Sequence, residues 1–187
     1  MEKDKIISSI AAEIKEKFEN ESSGHKKSGH DWWHIYRTWQ LAKNIVKKEN
    51  ADIFIVELAA LLHDIADWKF YDGDETIGPK EAKKILLKYD VGIKDITHVC
   101  NIIATISFKG AKVNDNMAAI EGEVVQDTDR LDAMGAIGIA RYFVCGASMD
   151  HYIHIPNKKP ELHKTKDEYF NSKNGSINHF YEKLLLL

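Results

Sequence analysis

His34, the adjacent pair His63 and Asp64, and Asp129 are metal-ligand residue types carried by three separate apolar stretches of this chain. The pair stands at the end of the run Ile53 to Leu62, where an ionised carboxylate and an imidazole are costly to bury unless something neutralises them. A divalent cation would do so. Successive helical positions point about 100° apart, so His63 and Asp64 can reach one ion between them but cannot complete its coordination. The stretch that begins near His30 offers His34, and Val124 to Leu131 offers Asp129. Together they supply two imidazoles, two carboxylates and room for water, and an open coordination position is what a hydrolytic metal needs.

This mixed nitrogen and oxygen set suits one six-coordinate divalent ion, Mn²⁺ first, with Fe²⁺, Co²⁺, Ni²⁺ or Mg²⁺ as alternatives, better than a closed structural zinc site. Asp129 has two neighbours of its own kind. Asp127 lies about 200° away around a helix and must face elsewhere, whereas Asp132, three residues on, shares the face and can support the ligands from behind.

The elements that must position these groups read as helices. Ile6, Ile7, Ile10, Ala11, Ile14 and Phe18 recur at three- and four-residue spacing, and the polar stretch from Glu19 to Gly29 ends that helix. A second is expected from about Asp31 to Lys48 and a third from about Asp52 to Asp67. Gly78-Pro79 opens a fourth that ends at Val91-Gly92, and Asp95 can cap a fifth that stops at Ser107-Phe108-Lys109-Gly110. Two more are expected over Ile120 to Ala133 and Ala136 to Cys145, the latter rich in small residues that permit close approach. Residues 150–175, with two of the three prolines, read as a long irregular segment of the kind that covers sites. Ser176 is expected to cap a last helix that turns Phe180, Tyr181, Leu184 and Leu185 inward. With no strand-type alternation or repeat, the fold class is an all-α helical bundle, expected as a single domain over residues 1–187.

Composition narrows the partners. With 187 residues and 44% hydrophobic content, one sizeable core can form. The 26 basic and 29 acidic residues leave a net charge of -3, which is no footprint for duplex nucleic acid. Cys100 and Cys145 both sit in apolar helical patterns, so no disulfide framework is expected. Neither a signal-type block nor a membrane-length apolar run occurs, and a cytoplasmic protein is expected. A homodimer is the default assembly.

The ordered set of His34, His63-Asp64 and Asp129 resembles the signature of the HD-domain metal-dependent phosphohydrolases. The flanking words Gly29-His30-Asp31-Trp32-Trp33-His34, Leu61-Leu62-His63-Asp64-Ile65-Ala66-Asp67 and Asp127-Thr128-Asp129-Arg130-Leu131-Asp132 are similar to those of its small bacterial one-domain branch. The resemblance implies hydrolysis of phosphate esters or anhydrides, some relatives cleaving nucleoside triphosphates between the α and β phosphates. The leading expectation is a nucleotide pyrophosphohydrolase acting on nucleoside or deoxynucleoside triphosphates. The alternatives are a 5′-nucleotidase or phosphodiesterase, or a nucleotide-binding regulator with slow turnover.

Two residues are then candidates for moving protons. Asp67 lies three residues after Asp64, where HD relatives often carry a glutamate, and His30 lies four before His34. Arg37 and Lys109 are the candidates for holding substrate phosphate. Trp32, Trp33 and Trp68 flank the ligands and could stack on a base, although such residues are more often core. His98 is a spare histidine on the fifth helix, but no further histidines accompany it between Val99 and Arg141, so one metal is expected. His25, His151, His154, His163 and His179 read as surface or packing residues.

Overall fold

The computed structural model describes residues 2–20, 29–114, 117 and 119–187. Among the described residues every regular element is helical. Helix α3 (Ile53–Leu62) is apolar around its whole circumference, and all its residues but Ile53 and Glu57 are buried. A helix hydrophobic on every side must be surrounded. It is, by α1 (Glu2–Asn20), α2 (Trp32–Ile45), α5 (Ile93–Thr105) and α6 (Ile120–Asp132). Amphipathic α1 contributes Ile7, Ile10, Ile14 and Phe18 to the shared core. Helix α4 (Ile77–Lys88) packs on α5.

The ends of α2 and α3 are set locally. Asp31 caps α2 by accepting a hydrogen bond from the His34 amide at 2.9 Å, and Asp52 caps α3 by accepting one from Phe54 at 2.8 Å. Such caps are worth about 1 kcal/mol each. Gly29 takes a left-handed φ of 80° just before α2, and its carbonyl accepts a hydrogen bond from Arg141 Nε at 2.9 Å. Residues 21–28, where much of the expected polar linker and His25 fall, lie outside the described residues.

Three expectations are corrected. The third helix stops at Leu62 rather than reaching Asp67. His63 Nδ1 donates to the Ala60 carbonyl at 2.8 Å, occupying the acceptor that the next helical turn would use, and Ile65 then bonds to Leu62 in a tighter turn. Asp67 is therefore extended, with φ -69° and ψ 122°, and caps a short 3₁₀ turn, Trp68–Phe70. The fifth helix begins at Ile93 with Gly92 as its cap, which places Asp95 in the first turn, where the helix dipole favours a carboxylate.

The last helix is also different. Gly175 precedes α9 (Ser176–His179), and the chain then widens into a π turn, Phe180–Leu184, in which Leu185 bonds to Phe180 at 2.8 Å. Widening rotates the face, so Glu182 points inward while Tyr181 and Leu185 are exposed. The buried carboxyl accepts hydrogen bonds from the Glu161 amide at 2.8 Å and from Asn174 Nδ2. It thereby ties the terminal turn to the long segment before it.

That segment, 150–175, is irregular apart from α8 (Lys166–Phe170), which Thr165 caps. Helix α7 (Gly135–Ser148) packs on α6 and on α9. The small residues of α7 allow the approach expected of them: a Cβ on Gly146 would lie 2.3 Å from Ser176 Oγ. No helix among the described residues is long and apolar enough to cross a membrane.

If α3 is the member around which the others pack, Leu58→Ala at its fully buried centre should cost about 2 to 5 kcal/mol. Urea denaturation measures this directly, and an unchanged midpoint would contradict the central place given to α3.

Candidate metal centre

The four expected ligands converge. His34 Nε2 lies 3.2 Å from His63 Nε2, 3.2 Å from Asp64 Oδ2 and 3.3 Å from Asp129 Oδ1. His63 Nε2 is 3.7 Å from Asp64 Oδ2 and 3.9 Å from Asp129 Oδ1. Donors about 2.1 Å from a common ion stand roughly 3 to 3.5 Å apart, so these spacings fit one ion to within a few tenths of an ångström.

The protonation pattern makes the same point. His63 Nδ1 can only donate to the Ala60 carbonyl, and His34 Nδ1 can only donate to Asp132 Oδ2 at 2.8 Å. Were both rings neutral, each would turn an unprotonated Nε2 toward two carboxylate oxygens, and the lone pairs would meet with nothing positive between them. Without a cation a proton must take its place. Burial alone would lower the His34 pKa, but Asp129, Asp132 and Asp64 outweigh it and push it up to about 9. Burial likewise opposes ionisation of Asp64 and Asp129, yet the facing histidines hold both well below the usual carboxylate range. A divalent ion is the better occupant because it satisfies all four donors at once.

Support comes from behind. Asp132, which shares a face with Asp129 as expected, is gripped by Arg37 through Nε at 2.6 Å and a terminal nitrogen at 3.0 Å, and by Arg141 at 2.6 Å. Two guanidiniums fix the carboxylate that fixes the His34 ring. Asp127 is exposed, as its phase requires.

The ligands open into a cavity of about 190 Å³. Asp67 and His30 both line it, His30 Nδ1 standing 2.6 Å from Asp64 Oδ2. Burial would lower the His30 pKa, but the Asp64 carboxylate pushes it up to about 10. Asp67 is buried and paired with Lys69 Nζ at 3.2 Å.

The two expected phosphate-holding residues are placed elsewhere. Arg37 is committed to Asp132 and does not line this cavity. Lys109 pairs with Glu75 at 2.7 Å and lines a neighbouring hollow that shares Ser107, Phe108 and Arg130 with the main cavity. The cations on the cavity wall are instead Lys69, Arg130, Arg141 and Lys183. Arg141 carried a sequence signal, being the lone charge in the apolar helix α7; Lys69 and Lys183 carried none. His151, His163 and His179 also line the cavity, correcting their reading as surface or packing residues, whereas His154 is exposed. Of the tryptophans, Trp32 and Trp68 are buried outside the cavity wall and Trp33 is largely exposed. His98 pairs with Glu121 at 3.4 Å and belongs to neither of the His/Asp clusters found among the described residues.

His63→Ala or Asp64→Ala should remove stoichiometric metal, since each deletes one of four protein donors. Asp132→Ala keeps all four and should lower metal affinity by about 10- to 100-fold, the usual effect of losing an outer support. Elemental analysis and metal titration read both effects, and full retention in either ligand variant would refute the centre.

Known proteins resemble this chain in sequence and in fold. Residues 32–134 match the HD domain family. The chain is 37% identical to YpgQ of Bacillus subtilis over 87% of its own length and 71% of that protein's. A crystal structure of YpgQ in complex with ADP superposes with a TM-score of 0.69 at 34% identity, covering 99% of this chain and 80% of that one. A Lactobacillus plantarum structure gives 0.82 at 32% identity over 96% and 81% of the two chains. An HD-superfamily hydrolase from Bacillus thuringiensis gives 0.66 at 37% identity over 98% and 80%. With more than half its length matched, this chain belongs to the HD domain family.

Proposed function

We propose that the protein is a divalent-metal-dependent phosphohydrolase, and specifically a pyrophosphohydrolase of nucleoside or deoxynucleoside triphosphates. The observation that carries this reading is the gathering of His63, Asp64 and Asp129 around His34, beside a cavity walled by Lys69, Arg130, Arg141 and Lys183. A cation centre beside several fixed positive charges suits a polyanionic substrate. The relative YpgQ, crystallised with ADP, supports a nucleotide as the ligand class.

His34, His63, Asp64 and Asp129 would hold a divalent ion, Mn²⁺ first, which would supply Lewis acidity toward water and a phosphoryl oxygen. The chain's own groups handle protons and charge. Asp67, held against Lys69, takes the proton of the attacking water as its oxygen bonds to the α phosphorus. The bond from that phosphorus to the bridging oxygen breaks, and His30, anchored on Asp64, donates a proton to the departing pyrophosphate. Lys69, Arg130 and Lys183 neutralise the phosphate oxygens throughout. Arg37 acts through Asp132 on the metal ligands, so its loss reads out first as metal content.

Purified protein supplied with Mn²⁺ should release pyrophosphate, rather than phosphate, from nucleoside triphosphates, and chelation should abolish this. Phosphate release from monophosphates alone would favour a 5′-nucleotidase instead. Asp67→Asn should retain metal and lower kcat by about 10² to 10⁴, the typical worth of a general base. Lys69→Met should retain metal and lower kcat/KM by about one to two orders of magnitude, as expected for one charge-assisted hydrogen bond. Wild-type rates in both variants would remove these residues from the reaction.

A further inference from the structure

Three buried hydrogen-bonding atoms on residues that line the cavity lack a protein partner: His163 Nδ1, His163 Nε2 and Asn174 Oδ1. Each residue is only 4% exposed. Buried polar atoms are nearly always satisfied, so three orphans from one segment around one cavity point to a ligand that supplies the missing bonds. The orientation of Asn174 is decided by Glu182, whose carboxyl accepts from Nδ2 and so leaves Oδ1 as the unfilled acceptor. Turning the amide over would set two oxygens against each other.

The chemistry of these atoms selects what can sit there. A phosphate oxygen has no hydrogen to give Asn174 Oδ1, and the adjacent Glu182 carboxyl makes this part of the wall a poor neighbour for an anion. An amino or hydroxyl group donates, while a ring nitrogen or carbonyl accepts. A neutral His163 matches such an edge with one donor and one acceptor. Aromatic rings continue from the same place: His163 meets Tyr169 edge-on at 5.8 Å, Tyr169 lies 5.9 Å from His179, and His179 stacks on Tyr142 at 4.6 Å. Flat apolar faces beside an unfilled donor and acceptor set suit a planar, polar-edged group.

We propose that His163 and Asn174 form the subsite for the nucleoside half of the substrate, reading an edge that carries both donors and acceptors while the metal end takes the phosphates. This rests on the nucleotide reading above. It assigns residues 150–175 a role in selectivity rather than only in covering the site.

The test compares wild type, His163→Phe and His163→Gln on a panel of nucleoside triphosphates and on inorganic tripolyphosphate, used as substrate or as competitive inhibitor. His163→Phe keeps a ring against Tyr169 and removes both orphan nitrogens, so it should fold with an unchanged or higher thermal midpoint and bind metal normally. Its kcat/KM on nucleoside triphosphates should fall about tenfold. Values for tripolyphosphate should hold, and His163→Gln, which retains a donor and an acceptor, should recover much of the loss. If the base supplies the edge, the loss disappears on a triphosphate whose base lacks its amino group. If the sugar supplies it, the loss disappears on deoxynucleotides, and either result supports the subsite. An equal fall on tripolyphosphate, or no fall on any nucleotide, overturns the inference while leaving the pyrophosphohydrolase reading intact. Wild-type protein that cleaves no nucleotide overturns both.

Discussion

Two imidazole nitrogens, each within 4 Å of the other and of oxygens from two carboxylates, bring lone pairs together that only a cation or a proton can reconcile, and most of the arrangement around them exists to hold that set in place. The Ala60 carbonyl fixes the His63 ring and Asp132 fixes the His34 ring, each by taking the proton of the nitrogen that faces away. Asp132 is fixed in turn by Arg37 and Arg141, so positive charge behind the ligands balances negative charge in front of them. Removing an outer member of this chain would loosen the ring it orients, so the supports would matter to an ion that they do not touch.

The same interaction explains where α3 ends. A helix that is buried on all sides has no reason in its own sequence to stop after Leu62, and the apolar pattern continues through Ile65 and Ala66. The imidazole of His63 competes for the Ala60 carbonyl, and the chain turns more tightly from that point. The break leaves Asp67 extended, buried and against Lys69, at the wall of the cavity rather than one turn farther along a helix.

Opposite the ligands, the cavity wall is built late in the chain. Helix α7 brings Arg141 to Asp132 and Gly146 against Ser176, and the π turn points Glu182 into the segment it anchors. The wall thus has two chemical characters. Near the ligands stand cations bound to carboxylates; on the later segment stand aromatic rings and unfilled polar atoms. A substrate with a charged end and a neutral, planar end fits that division.

The sequence by itself determined the helical class, the four candidate ligands and the phase of Asp132 against Asp129. These follow from local rules: apolar periodicity sets a helix face, and residues three apart on one helix must share it. It did not determine what Arg37, Lys109, His163 or Glu182 would touch. Arg37 meets Asp132 across 95 residues of chain, and Arg141 reaches back to Gly29 across 112, partnerships that no spacing along one helix encodes. Lys109 had an acidic partner in Glu75 that only packing reveals, and His163 lost its expected exposure because the irregular segment folds over the cavity. Local sequence fixes which side of a helix a residue occupies. Which opposite charge or cavity that side meets depends on distant elements arriving there, and that was decided by the tertiary structure alone.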